Sequence, residues 1–184
     1  MDKEEKLSTK YQKEIRPKLQ KEFGLANFLA APRLKKVVVS MGVKEGAKDK
    51  GIIEKAKGQL AAITGQNPKV CRAKKSIAAF NLAVASPIGL TVTLRGEKMF
   101  NFLEKLMGIV LPRTRDFHGV PVTGFDKNNN YSLGIREMVI FPEVDYTQLD
   151  KNRGLEVTFV LESADQIQSR RLLEELGMPF VKNN

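Results

Sequence analysis

The chain has 184 residues, of which 42% are hydrophobic and 28% charged, and this composition excludes a disordered chain in favour of a domain with a real core. Its single cysteine, Cys71, excludes an internal disulfide and a thiolate zinc cluster, and fits the reducing cytoplasm. The formal net charge of +10 favours a polyanionic partner, and without linker tracts or repeats the sequence predicts a single domain over residues 1–184.

A helix is predicted near the N-terminus. Apolar residues recur there at every fourth position, along one helical stripe: Leu7, Tyr11, Ile15, Leu19 and Phe23. Pro17 lies within the stripe, lacks an N–H and crowds the preceding turn. We therefore expect it to kink or split the helix.

A strand and a second helix follow. Residues 34–43 are rich in β-branched side chains and predict a strand with one apolar face. The opposite face of this strand carries Lys36, Ser40 and Gly42. Apolar residues at helical spacing over 52–63 predict an amphipathic helix, which Gly65 and Pro68 end.

The next strand again has two unlike faces. Leu90, Val92 and Leu94 alternate with three polar residues: Thr91, Thr93 and Arg95. Residues 99–110 are apolar almost all round and predict a largely buried helix that ends before Pro112.

The last third contains a long loop, two strands and a helix. Residues 112–130 are rich in Pro, Gly and Asn, while 131–141 and 155–161 are the remaining strand candidates. The sequence from Ser163 to Gln166 is a capping-box pattern that opens a final helix. The element order predicts an α+β fold, with one mostly antiparallel sheet, helices packed on one face, and the other face free to bind RNA.

Charge is distributed unevenly along the chain. Residues 1–116 contain 24 basic and 11 acidic side chains, whereas 117–184 contain 7 and 10. Positions 55–96 contain seven Lys or Arg and no Asp or Glu. A solvated surface normally mixes charge signs, so a window without carboxylates favours contact with nucleic acid.

Two groups of residues suit the binding of RNA. Four cations match phosphates along a backbone: Lys69, Arg72, Lys74 and Lys75. The polar strand faces supply hydroxyls and cations for phosphate oxygens and ribose 2′-hydroxyls: Lys36, Ser40, Thr91, Thr93 and Arg95. Aromatic residues make up only 7% and none lies on these faces, so we expect recognition of RNA shape and backbone rather than base stacking.

The sequence gives little support for a catalytic site, and we expect no cofactor and no bound metal. The only histidine, His118, has no partner at metal-ligand spacing. Residues 46–51 resemble the start of a phosphate-binding loop, but Ile52 and Ile53 stand where Lys and Ser or Thr are required. Three carboxylates leave a metal-dependent nuclease as a minor alternative: Asp126, Glu143 and Asp145.

Eight blocks of sequence resemble, in order and spacing, the family of bacterial large-subunit ribosomal protein five. They are KVVVSMGV at 36–43, TGQNP at 64–68, AKKSI at 73–77, PIG at 87–89, VTLRGEKM at 92–99, LPRTRDF at 111–117, NYSLG at 130–134 and IFPE at 140–143. The match covers essentially the whole chain and is more specific than any single motif in it.

The resemblance implies a structural, non-enzymatic constituent of the large ribosomal subunit in the cytoplasm. It further implies binding of 5S ribosomal RNA, which the protein anchors in the central protuberance, and contact with 23S ribosomal RNA. A contact with transfer RNA in the peptidyl site and an intersubunit bridge to a small-subunit ribosomal protein are also implied.

The resemblance also assigns residues to these contacts by position. The ribosomal RNA surface would include Lys35, Lys36, Ser40, Gly42, Gln66, Lys69, Arg72, Thr91, Thr93 and Arg95. The loop near transfer RNA would include Lys74, Lys75, Ser76, Asn81 and Ala83. The intersubunit bridge would include Arg113, Arg115, Tyr131 and Phe141.

The chain departs from the family pattern at two places. Ser40 stands where family members usually have Asn, which removes one donor from an assigned RNA contact. Asn81 and Ala83 stand where Lys and Arg are typical, so we expect a weaker or more apolar contact with transfer RNA. The alternative that composition alone does not separate is a module that binds structured RNA outside the ribosome.

Overall fold

The structure, a computed structural model, describes residues 6–47, 49–115, 117–144 and 149–181. Its strands are β1 (Arg33–Gly42), β2 (Lys69–Arg72), β3 (Pro87–Leu94), β4 (Tyr131–Ile135) and β5 (Leu155–Glu162). They form one five-stranded sheet in the order β2-β3-β1-β5-β4. Its α-helices are α1 (Leu7–Lys10), α2 (Arg16–Glu22), α3 (Lys50–Thr64), α4 (Gly96–Lys105) and α5 (Gln166–Glu175).

The predicted α+β class with a mostly antiparallel sheet is confirmed. The chain forms two compact units, residues 1–37, 95–133 and 158–184 in one, and residues 38–94 and 134–157 in the other. The single domain over residues 1–184 stays a prediction. Within the described ranges, no helix is long and apolar enough to cross a membrane.

Alternation along the strands gives the sheet one apolar face and one open polar face. In β3, Leu90, Val92 and Leu94 are at most 2% exposed, whereas Thr91 and Thr93 are only half-buried. The predicted alternation of β1 is likewise confirmed over residues 37–41. These hydroxyl-bearing positions are therefore available on the open face because apolar burial fixes the register of their strand.

Helix α3 covers the apolar face in the unit of residues 38–94 and 134–157. The Asp49 side chain accepts a hydrogen bond from the Gly51 N–H at 2.7 Å, and Gly65 ends the helix in the left-handed region with φ 65°. The residues that α3 buries include those predicted from helical spacing: Ile53, Ala56, Leu60 and Ile63.

In the other unit the N-terminal helix is continuous from Leu7 to Glu22, and Pro17 does not split it. A π-helical segment, Tyr11–Ile15, lies just before the proline, and its wider turn accommodates a residue that lacks an N–H. The apolar stripe is buried at its centre as predicted: Tyr11, Ile15 and Leu19. A second π-helical segment, Leu106–Val110, extends α4 to complete the predicted buried helix.

Two boundary predictions were wrong. The strand expected over 131–141 ends at Ile135, and a 3-10 turn, Met138–Ile140, follows it. The final helix is capped by Asp165 rather than Ser163, because the Asp165 carboxylate accepts from the Gln168 N–H at 2.8 Å. The Ser163 hydroxyl instead donates to the Asp165 carbonyl oxygen at 3.1 Å.

Candidate nucleic-acid interface

A row of polar side chains crosses three strands on the open face of the sheet. Lys69 on β2 is in register with Thr91 on β3. The Thr91 hydroxyl lies 3.4 Å from the Ser40 hydroxyl on β1, and either oxygen is able to donate. Lys69 is exposed and both hydroxyls are half-buried. This polar row of Lys69, Thr91 and Ser40 offers a positive charge beside paired donors and acceptors, which suits phosphate and ribose oxygens.

A second polar group on this face comes from the turn after α3. The left-handed backbone of Gly65 turns the chain towards β3. There Gln66 Nε2 donates to the carbonyl oxygen of Thr93 at 3.1 Å. The Thr93 hydroxyl makes no hydrogen bond to any residue within the described ranges. The Gln66 amide is therefore held against the main chain of the residue that carries this hydroxyl.

Gly89 permits the close approach of β1 and β3. A Cβ atom at this position would lie 2.9 Å from the carbonyl oxygen of Met41, closer than real Cβ contacts. In the register of the sheet, Gly89 pairs with Cys71 on β2. A larger residue at position 89 would move β1 away from β3 and disturb the polar row.

The predicted cations differ in their surroundings. Lys35 Nζ lies 2.5 Å from a carboxylate oxygen of Glu162 on β5, and Arg33 pairs with the same carboxylate. Hydrogen bonds from Lys35 and then Arg33 hold the pKa of Glu162 below its usual range. By contrast, Lys36 and Arg95 form no ion pair within the described part of the chain. Lys36 is half-buried, whereas Arg95 and Gly42 are exposed.

The loop between β2 and β3, residues 73–86, is closed by main-chain hydrogen bonds, and we call it the tip loop. Ala85 N–H donates to the Ala73 carbonyl at 2.9 Å. The Ser76 hydroxyl accepts from Val84 N–H at 2.9 Å, so part of its hydrogen-bonding capacity holds the loop together. All the residues predicted to face transfer RNA are exposed: Lys74, Lys75, Ser76, Asn81 and Ala83. Arg72, at the base of the loop, is exposed and donates to the Ala85 carbonyl at 3.0 Å.

The residues predicted for the bridge divide into two kinds. Arg113 and Arg115 are exposed and able to meet a partner. Tyr131 and Phe141 are completely buried. The Tyr131 hydroxyl donates to the Pro121 carbonyl at 2.7 Å, and burial raises its pKa to about 12. The assignment of Tyr131 and Phe141 to a contact surface is therefore corrected, because their side chains are part of the core.

The carboxylates considered for a nuclease do not form a metal centre within the described ranges, where no group of three or more candidate ligands occurs. Asp126 instead accepts hydrogen bonds from the N–H groups of Asn128 and Asn130, each at 2.8 Å. A hydrogen bond from the Asn130 side chain, together with these two, holds the pKa of Asp126 below its usual range, and the three bonds organise a turn. Asp145 lies outside the described residues.

An open sheet face with cations and hydroxyls, next to a basic loop, defines a nucleic-acid-binding protein of the α+β class. Two family models match the chain, "Ribosomal protein L5" over residues 27–82 and the model of the C-terminus of the same ribosomal family over residues 87–180. The chain belongs to the ribosomal protein L5 family.

Relatives named "Large ribosomal subunit protein uL5" match nearly the full length. The protein of Desulfatibacillum aliphaticivorans is 49% identical over 176 residues, covering 96% of this chain and 98% of the relative. That of Chloroflexus aurantiacus is 50% identical over 175 residues, with 95% and 97% covered. That of Dictyoglomus turgidum is 48% identical over 178 residues, with 97% and 99% covered.

Family membership settles the broad function. The chain is a structural constituent of the large ribosomal subunit, and RNA binding and a part in translation follow from the family. The prediction that it is not an enzyme is confirmed.

Sequence reasoning missed the four-residue strand β2, which brings Lys69 into the polar row. A strand this short shows little periodicity, and only the turn residues on either side hint at it.

Proposed function

We propose that the chain binds 5S ribosomal RNA through the open face of β2, β3 and β1, and anchors that RNA in the central protuberance. The observation that carries this proposal is the polar row, where Lys69, Thr91 and Ser40 lie side by side on three adjacent strands. Because positions 55–96 contain no carboxylate, no negative side chain from this window opposes an RNA backbone.

Each group on the face has a definite part in binding. Lys36, Lys69 and Arg95 neutralise phosphates, and they are not already committed to ion pairs within the described residues. The Thr93 hydroxyl and the Gln66 amide are suited to 2′-hydroxyl and phosphate oxygens. The sheet fixes the spacing of Lys69, Thr91 and Ser40, and this spacing suits the backbone of double-helical RNA rather than a base sequence. Other exposed cations of the basic first 116 residues contact 23S ribosomal RNA.

The tip loop and the segment around Arg113 supply the remaining contacts. Lys74 and Lys75 are exposed on the tip loop and approach transfer RNA in the peptidyl site. Arg113 and Arg115 are exposed and meet an acidic surface of a small-subunit ribosomal protein at the intersubunit bridge. Tyr131 and Phe141 contribute to the core and not to this contact.

The test is a salt titration of binding to folded 5S RNA by the purified protein. With about six phosphate contacts, affinity should fall on the order of a thousandfold between roughly 50 and 200 mM salt. An unrelated hairpin RNA of similar length is the control and should bind more weakly at every salt concentration. Salt-insensitive binding, or equal affinity for the control, would contradict the proposal.

A further inference from the structure

A groove of about 780 Å³ lies within the unit of residues 1–37, 95–133 and 158–184, and the proposed RNA contacts do not use it. Its walls are the start of the N-terminal helix, the end of the helix that continues α4, and the turn after α5. Leu7, Met107 and Leu176 supply its apolar lining, and Leu176 is buried while the other two are half-buried. A concave surface with an apolar lining is typical of a binding site.

Gly108 lines the groove from within the π-helical segment Leu106–Val110. Glycine is the least favourable residue in a helix after proline, and the backbone here does not need it, because its φ is not positive. Packing does not need it either, since an added Cβ would have nothing within 4 Å, its chain neighbours and own helix backbone aside. The open space at Gly108 therefore suits the close approach of a partner from outside the chain.

The charges at the rim of the groove favour a protein partner over an RNA. Lys10 and Glu14 lie four positions apart on the N-terminal helix, and neither forms an ion pair within the described part of the chain. Glu104 accepts a hydrogen bond from Leu7 N–H at 2.5 Å and is exposed. The two carboxylates oppose the phosphates of a nucleic acid, whereas a protein segment is able to match both signs of charge.

The shape of the groove favours an α-helix as the occupant. A helix is convex, and its side chains four positions apart lie on one face. An acidic and a basic residue at that spacing therefore reach Lys10 and Glu14 together. The same groove on a second copy of this chain is concave and would leave a void between the two molecules.

We propose that this groove binds an α-helical segment of another protein. The backbone of that helix lies over Gly108, one of its apolar side chains packs against Leu7 and Met107, and two opposite charges pair with Lys10 and Glu14. Among the described residues that line the groove, none belongs to a strand. The chain is therefore able to hold RNA on its sheet and a protein helix in this groove at the same time.

The test places the photo-crosslinking residue p-benzoylphenylalanine at position 107 of the full chain, in cells that build it into large ribosomal subunits. Irradiation should join it to one protein, and mass spectrometry should find an acidic and a basic side chain three or four positions apart in the joined peptide. The same residue at position 12, which is exposed on the N-terminal helix and does not line the groove, is the matched control and should give little product.

Charge reversal tests whether the rim recognises this partner. Lys10→Glu and Glu14→Lys should each lower the yield of the product about tenfold, because each places like charges in contact. Both side chains are exposed, so these variants should fold like the wild type. Wild-type yield in both variants would contradict the proposal.

Gly108→Leu separates occupancy of the groove from folding. Because an added Cβ meets nothing within the chain and leucine favours a helix, its urea unfolding midpoint should not fall below that of the wild type. The cross-link from position 107 should be lost, while affinity for folded 5S RNA should be unchanged, which makes failure of this site distinguishable from failure of the sheet face. Cross-links to RNA or to a second copy of this chain, or equal yields from positions 107 and 12, would overturn the proposal.

Discussion

Gln66 donates from Nε2 to the carbonyl oxygen of Thr93 at 3.1 Å, and so joins the turn after α3 to β3. This bond uses the main chain of Thr93 and leaves its hydroxyl on the open face. A side chain and a main-chain carbonyl 27 positions apart in sequence are thereby joined. Stability and RNA affinity should depend on the same contact.

Replacing Gln66 with Met removes this hydrogen bond and keeps the length of the side chain. We expect the free energy of unfolding to fall by about 1 kcal/mol, the usual net contribution of such a bond. Affinity for 5S RNA should fall in parallel, and urea denaturation with equilibrium binding measures both. Gln12→Met, at an exposed position on the N-terminal helix, should change neither. Identical unfolding curves for Gln66→Met and the wild type would show that the bond contributes nothing.

Ala85 adopts a left-handed conformation with φ 67°, which is unfavourable for a residue with a Cβ. Ala85→Gly should raise the free energy of unfolding by roughly 0.5–1 kcal/mol, after allowing for the greater freedom of glycine in the unfolded chain. Ala83→Gly is the matched control, because Ala83 is exposed and its φ is not positive. A loss of stability in both variants would refute the account of strain at position 85.

Asp150 and Arg153 form a two-pronged ion pair, with N–O distances of 2.9 and 2.8 Å, and the Arg153 side chain is only 4% exposed. The hydrogen bond from Arg153 is the main reason that the pKa of Asp150 lies at about 2. Since the folded-state pKa is below the unfolded one, the pair stabilises the protein above about pH 4 and loses this effect as the pH falls towards 2.

Asp150→Asn should therefore lower the free energy of unfolding at pH 7 by about 3 kcal/mol, because it leaves a buried guanidinium without its counter-ion. The difference from the wild type should shrink between about pH 4 and pH 2 in urea denaturation series. Glu45→Gln breaks the more exposed pair with Lys151 and should have a much smaller effect. A difference for Asp150→Asn that stays constant over this pH range would be inconsistent with the pairing.

Glu162 holds Arg33 and Lys35 in ion pairs. Glu162→Gln should free these two cations, tighten binding to 5S RNA and make the slope of log affinity against log salt steeper by about one for each freed cation that meets a phosphate. Glu175→Gln, which frees Lys18 on α2, is a control for the change in net charge. If both variants gain affinity equally, total charge rather than this local pairing controls binding.

The sequence was sufficient to predict elements whose structure follows from a local pattern of apolar and polar residues. The alternation of Leu90, Val92 and Leu94 correctly placed Thr91 and Thr93 on the open face, because strand periodicity links the two sets directly. Helix α3 was predicted correctly for the same kind of reason, with Gly65 as its end. Positions 55–96, which contain no Asp or Glu, supply much of the surface that we propose binds RNA.

Sequence patterns did not predict those features that depend on tertiary contacts, such as side-chain burial and ion pairing. Tyr131 looks like a contact residue by position, but its ring packs 5.4 Å from that of Phe180 and 6.0 Å from that of Phe159. The pairing of Lys35 with Glu162 joins residues far apart in sequence, so charge counting treats both as free. The Asp165 cap replaces the expected Ser163 cap because a competing carboxylate lies two positions closer to the helix.

The central claim is that the β2, β3 and β1 part of the open face binds 5S RNA, and two matched threonine variants test it most directly. Thr93→Val removes a free hydroxyl from β3, and Thr158→Val removes a hydroxyl from β5 that lies 3.1 Å from Ser132. We expect Thr93→Val to weaken 5S RNA binding by about 1 kcal/mol, close to fivefold, and Thr158→Val to bind like the wild type. Wild-type affinity in Thr93→Val, or an equal loss in both variants, would contradict the account.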